Sequence, residues 1–207
     1  MIEINLNDMP YLCRTKDMLW MRETGMVFSF LMQDGLSMED IRKKIEDENI
    51  FDAASASRAK EIRQALTRRN NVVDDDYRNT FLSSTPEIQK VMSIILIMLT
   101  DRTFYEFMDS VFREKLITGA VKITDADVIG YIHDIQGKDE KASKWSDGGI
   151  KKLRSQYFTI LREAGLLSVG DQKNQQVLKP LFPPSFMSFL DENGLGRIRI
   201  ILMGERA

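Results

Sequence analysis

One cysteine, one histidine and five prolines among 207 residues set the first limits on this chain. Cys13 alone excludes an internal disulfide and points to a reducing compartment; one Cys and one His cannot build the usual zinc sites. His133 sits within an apolar-periodic stretch with no partner motif, so it reads as structural rather than as an acid–base catalyst. Neither a Walker nor a Rossmann glycine loop occurs, nor a nucleophile elbow. The apolar run Val91 to Leu99, interrupted only by Ser93, falls well short of the about 20 residues that span a bilayer. The opening residues MIEINLNDMP lack the basic region and apolar core of a signal peptide, so a cytoplasmic location is expected. With 29% charged and 43% hydrophobic residues, the composition is that of a folded, water-soluble chain. These absences leave no positive case for an enzyme, a cofactor or a small-molecule substrate.

The charge that is present is segregated. The net charge of −2 argues by itself against a polyanionic partner. Lys141 to Arg162, however, holds six basic residues against Asp147 alone, and Arg58 to Arg69 holds five against Glu61 alone. These stretches carry +5 and +4, leaving −11 on the rest of the chain. Localised basic patches on an acidic body are the electrostatic footprint of a phosphate binder.

The more informative patch reads as a helix followed by a β-hairpin. Ser146 and Asp147 can cap a helix start and Gly165 can end one, which predicts a helix from about Asp147 to Ala164. Ile150, Leu153, Tyr157, Ile160, Leu161 and Ala164 form its apolar sector. Lys151, Lys152, Ser155, Gln156, Thr159 and Arg162 face the other way, with Arg154 on the border. Leu166 to Val169 and Val177 to Leu178 are β-prone segments around a turn, the order of a winged helix, which offers its helix to a DNA groove and its hairpin to the backbone. Lys173 and Lys179 fall on or near that wing. The plainer alternative is a solvated helix face.

Elsewhere, Ile2, Ile4 and Leu6, and again Ile198, Ile200 and Leu202, alternate as in strands. Thr15 to Gln33 reads as two helices or one bent one. Ser37 with Asp40 resembles a capping box for a helix Met38 to Asp47, and Ser55 or Ser57 caps another reaching Arg69, together a first helix-turn-helix unit. Asp74, Asp75 and Asp76 read as a solvated loop in preference to a metal site, because consecutive carboxylates point in different directions. Thr85-Pro86-Glu87 opens a helix buried on most sides, beside a second from Phe104 to Ile117. Thr124 with Asp127 opens a helix ending at Gly137, and Pro183-Pro184-Ser185 opens a short one that Gly194 stops.

Several of these segments carry a resemblance. Glu48-Asn49-Ile50-Phe51, then Ala53 and Ser55 to Lys60, then Phe112 to Leu116, then Leu161 to Leu167 occur in an order and spacing similar to the BrxA family of BREX (bacteriophage exclusion) defence systems. The resemblance runs from about Gly25 to Pro183 and leaves the terminal segments outside. It implies a small, non-enzymatic DNA-binding component built from winged-helix-like units around a helical bundle, working beside other BREX proteins. Arg58, Lys60 and Arg162 are the surface cations within the matched segments.

The expected fold is therefore mainly α: a helical bundle flanked by two helix-turn-helix or winged-helix-like units, with a short β-hairpin wing and short terminal strands. An N-terminal unit (1–84), a central scaffold (85–120) and a C-terminal unit (121–207) divide it. The expected partner is double-stranded DNA, with no membrane. Candidate contacts are Lys141, Lys144, Lys151, Lys152, Arg154, Ser155, Arg162, Lys173 and Lys179 in the C-terminal unit, and Arg58, Lys60, Arg63, Arg68 and Arg69 in the N-terminal one. The competing reading is an adaptor whose basic faces dock on acidic proteins. RNA is a weaker third, since no paired aromatics on a sheet are evident.

Overall fold

The apolar run that cannot cross a membrane becomes the centre of the molecule. In a computed structural model that describes residue 2 and residues 6–120, 122–168 and 175–206, the helices in chain order begin with α1 (Met21–Met32), α2 (Met38–Glu46), α3 (Ala56–Asn70), α4 (Asp75–Ser83) and α5 (Pro86–Thr100). Every residue of α5 from Val91 to Leu99 is buried, Ser93 included. The Ser93 hydroxyl donates to the Gln89 carbonyl at 2.8 Å, which satisfies the one polar side chain in that run.

The expected helix from Phe104 to Ile117 is present with a modification. It runs as α6 (Arg102–Phe107), a π-helical turn (Met108–Phe112) and α7 (Arg113–Thr118). The wider turn brings residues five apart onto one side, and Phe107 and Phe112 are both fully buried. Then come α8 (Asp125–Lys138), α9 (Asp147–Glu163), α10 (Pro184–Glu192) and α11 (Gly196–Met203). The expected capping boxes form: Ser37 with Asp40 opens α2, and Thr124 with Asp127 opens α8. The buried apolar residues make one contiguous cluster with members in every one of these helices except α7.

Three expectations are corrected. The segment around Ile198 to Leu202 is the helix α11, not a strand, and its buried residues Ile198, Ile201 and Leu202 follow helical spacing. Five of six residues from Ile198 are not polar, so alternation and helical period could not be separated there. Nor do the termini pair as strands: Ile2 donates from its backbone to the Asn193 carbonyl at 2.9 Å, and Leu6–Asp8 is a 3-10 turn, while residues 3–5 lie outside the described ones. Asp74 to Asp76 do not form a loop: Asp74 accepts from the Tyr77 amide at 3.1 Å as the cap of α4, Asp75 pairs with Arg78 at 2.6 Å, and Asp76 accepts from the Asn193 side chain at 3.2 Å.

Thr15 to Gln33 is one helix preceded by a turn and chain without regular structure. Helix α1 begins only at Met21, after Trp20 in the left-handed region (φ 46°). At the expected wing, Leu167 and Val177 form an isolated antiparallel bridge, supported by Ser168 N–H to Gln176 O and Leu178 N–H to Leu166 O, each 2.9 Å. A second bridge joins Lys122 and Gln176. Among the described residues these bridges do not extend into a sheet. The expected turn, residues 169–174 with Lys173, lies outside the described residues.

Candidate nucleic-acid interface

The site is organised by a segment without regular structure. Residues 12–19 lie as a strap between α3 and α9, held by side chains from three helices. The Leu12 amide donates to the Thr103 hydroxyl oxygen at 2.9 Å. The Asp17 carbonyl accepts from the Gln156 side-chain amide of α9. Arg69 of α3 donates to the Met18 and Leu19 carbonyls at 2.6 and 2.8 Å. With these partners the strap satisfies part of its backbone without helix or sheet.

A compact ion cluster lies beneath. The Asp17 carboxylate accepts from Arg69 at 2.6 Å and Arg68 at 3.0 Å, with Arg14 at 3.9 Å. Arg69 is 1% exposed and Asp17 is buried. Burial pulls the Arg69 pKa down, and the charge of Asp17 opposes it. Buried Asp101 caps α6 by accepting from Phe104 N–H at 3.1 Å. Burial nevertheless raises its pKa to about 6, against that hydrogen bond and the nearby Arg14.

Helix α9 forms as its sequence pattern predicts. The Ser146 hydroxyl accepts from the Gly149 amide at 3.2 Å. A Cβ at Gly149 would lie 3.3 Å from that hydroxyl oxygen and 3.5 Å from the Cys13 sulfur, so the strap approaches this first turn closely. The buried Tyr157 ring packs tilted against Phe107 and edge-on against Phe104, with centroids 4.8 and 5.1 Å away. A groove of about 370 Å³ separates the strap from Lys151, Lys152, Ser155 and Thr159 of α9. A second, also about 370 Å³, separates it from Glu61, Gln64 and Arg68 of α3. Thr15 lines both, so the strap stands between a groove on α3 and a groove on α9.

A family model described as BrxA matches residues 12–194, from the first residue of the strap to just beyond α10. A protein of Bacillus cereus (strain H3081.97) named BREX protein BrxA is 33% identical over 177 residues, covering 86% of this chain and 88% of that one. The chain belongs to the BrxA family. A crystal structure of an uncharacterized protein from Magnetospirillum magneticum has the same fold, with a TM-score of 0.77 over 94% of this chain and 98% of that chain at 18% identity. The match to the BrxA family begins earlier than the resembling segments did, and so takes in the strap.

In this BrxA-family chain the candidate cations divide sharply. Lys151 and Lys152 are exposed and have no ion-pair partner among the described residues. Ser155 is exposed and donates to the Lys151 carbonyl at 3.0 Å. Arg162 is half-buried, donates to the Thr159 hydroxyl at 3.1 Å and forms no salt bridge among the described residues, although its charge acts on the neighbouring Glu163 carboxylate. Arg154 is tied to Asp125 at 2.5 Å. Lys144 pairs with Glu140 at 3.0 Å, whereas Lys141 and Lys179 are exposed and unpaired.

On α3 most of the positive charge is already engaged. Arg58 meets Glu61 at 3.2 Å and lies over the Trp20 ring, Arg63 meets Glu46 at 2.6 Å, and Arg68 meets Asp17. Arg69 is a correction: fully buried, it holds the strap and cannot face a groove. Lys60 alone of the five is exposed and unpaired. Gln156 is a second correction, because it is buried under the strap rather than on the outer face.

Sequence reasoning missed Lys16, whose side chain is 69% exposed on the strap and pairs with Glu61 at 2.6 Å. It also missed Gln175, buried beside Arg154 and Arg162; a glutamine in a turn region carries no signal. His133 is exposed and bonds to Gln136 at 2.9 Å. Among the described residues no three His, Cys, Asp or Glu side chains group as metal ligands, and no helix is long and apolar enough to cross a membrane.

Proposed function

We propose that this protein is a non-enzymatic, duplex-DNA-binding component of a BREX phage-defence system, contacting DNA chiefly through phosphates. The observation that carries this reading is the outer face of α9, where the exposed Lys151 and Lys152 have no ion-pair partner among the described residues. Unpaired, solvated cations release condensed counterions when they neutralise phosphates, whereas cations already in ion pairs must first give up a carboxylate. The pair α8 and α9 followed by the Leu167–Val177 bridge supports a winged-helix manner of docking, with α9 toward a groove. Fluorescence anisotropy with unrelated duplexes across a salt series tests it. Wild-type affinity is expected to fall steeply with salt, and Lys151→Ala with Lys152→Ala to reduce the log–log slope by about 0.9 per lost phosphate contact, alike for every sequence. No binding to any duplex at low salt would reject the reading.

One observation favours a second reading, an adaptor within the defence complex. Leu181 is 92% exposed, between Pro180 and the buried Phe182, whose ring packs edge-on against Phe186 at 5.2 Å. Leu178, 39% exposed, lies three residues before it, and the two leucines together are the exposed large hydrophobics among the described residues, the kind of apolar surface a protein partner covers. Copurification with BREX partners after nuclease treatment, lost on Leu181→Ser and accompanied by no duplex affinity in the isolated protein, would favour the adaptor.

A further inference from the structure

We propose that the small cavity between α9 and Gln175 is a built site for one tetrahedral oxyanion, which in the complex is a single phosphodiester of the bound duplex. The identity of the occupant rests on the DNA-binding reading; the chemistry of the cavity does not. About 150 Å³ in volume, it is lined by Asp125, Arg154, Ser155, Thr159, Arg162 and Gln175, with Phe158 as its one apolar wall. Gln175 is 2% exposed, yet neither its Nε2 nor its Oε1 has a hydrogen-bond partner, and the buried Nε of Arg154 has none either. Buried polar atoms are almost always satisfied in folded proteins, so three orphaned atoms around one cavity call for a ligand.

The unmet groups define its chemistry. Two are N–H donors, Arg154 Nε and Gln175 Nε2, and Arg162 adds a guanidinium with no salt bridge among the described residues. Against these stands one unmet acceptor, Gln175 Oε1, which a bridging water can serve. The hydroxyls of Ser155 and Thr159 donate to the carbonyls of Lys151 and Ser155, each at 3.0 Å. Their oxygens in turn accept from Arg154 and Arg162 at 3.0 and 3.1 Å, so they hold the two guanidinium groups in place beside the unmet donors. Asp125 cancels one of the two positive charges by pairing with Arg154. The net charge of +1 matches the single negative charge of a phosphodiester. Where Lys151 and Lys152 attract a strand by charge alone, this cavity would fix one phosphate and so the register of the protein on the duplex.

Nitrogen-15 NMR of the whole protein reads the site through the Arg154 Nε–H and Gln175 side-chain amide signals. Inorganic phosphate at constant ionic strength is expected to shift both saturably, chloride to shift neither, and a short duplex to shift both. Gln175→Leu removes no charge, so it should lower duplex affinity roughly tenfold with the salt slope unchanged and abolish the phosphate response. A duplex that binds while both signals stay still, or a Gln175→Leu protein with wild-type affinity and phosphate response, overturns the site and leaves DNA binding standing. Saturable phosphate shifts without any duplex binding uphold the oxyanion site for free phosphate and reject the DNA reading instead.

Discussion

Replacing Asp17 with Ala should be among the most damaging single changes in this protein. Its carboxylate meets Arg69 at 2.6 Å, Arg68 at 3.0 Å and Arg14 at 3.9 Å. Arg69, at 1% exposed, cannot turn to water when that partner is lost. Truncating one partner of a buried pair leaves an uncompensated charge and costs about 3–5 kcal/mol. With a urea slope of about 2–3 kcal/mol per molar, the unfolding midpoint should drop by about 1–2.5 M. Arg69 also donates to the Met18 and Leu19 carbonyls, so its replacement by Met should be costly too, by loosening the strap. The double variant Asp17→Ala with Arg69→Met removes both buried charges and should lose markedly less stability than the two single losses combined. Urea unfolding of the four proteins makes the cycle. A single-variant loss below about 1 kcal/mol, or strict additivity, would show that the cluster is not coupled as argued.

The pKa of Asp101, raised to about 6 from 3.8, means that the folded protein binds more protons there than the unfolded chain between those values. Its contribution to stability is therefore fully present below pH about 4 and is lost as pH rises through about 6. Asp101→Asn, which keeps a side-chain acceptor for the Phe104 amide, should remove that decline, seen as a flatter urea midpoint between pH 4 and 6.5 than in wild type. Gly204→Ala should lower the melting temperature substantially, by about 2–4 kcal/mol in stability, because the residue has φ +63° and a Cβ there would collide with Leu116. Changing Arg58 and Arg63 to Ala should reduce the salt slope of DNA binding less than changing Lys151 and Lys152, since both arginines already pair with glutamates; the reverse order in anisotropy would move the reader to α3.

Helix positions and their buried faces were set by local pattern. Caps at Ser37, Thr124 and Ser146, the proline at 86 and the apolar spacing of α9 each depend on residues within one or two turns. Such signals survive in a sequence without knowledge of the rest. The uneven placement of Lys and Arg was equally legible, and it is what drew attention to α3 and α9.

Which of those cations stand free was decided by the tertiary structure, because an ion pair such as Arg63–Glu46 or Arg68–Asp17 joins residues far apart in the chain. Arg69 and Gln156 looked like outward positions on their helices. They are buried because a third segment, the strap, crosses over them and takes their hydrogen bonds. The expected helix from Thr15 takes in the later part of the strap because apolar residues are dense there; tertiary partners for its carbonyls on α3 and α9 outweigh that local tendency. At Ile198 to Leu202 local pattern was ambiguous, and packing against the bundle selected the helix. Local order was thus written in the sequence, whereas availability to a partner depends on long-range neighbours, and only the folded chain brings those together.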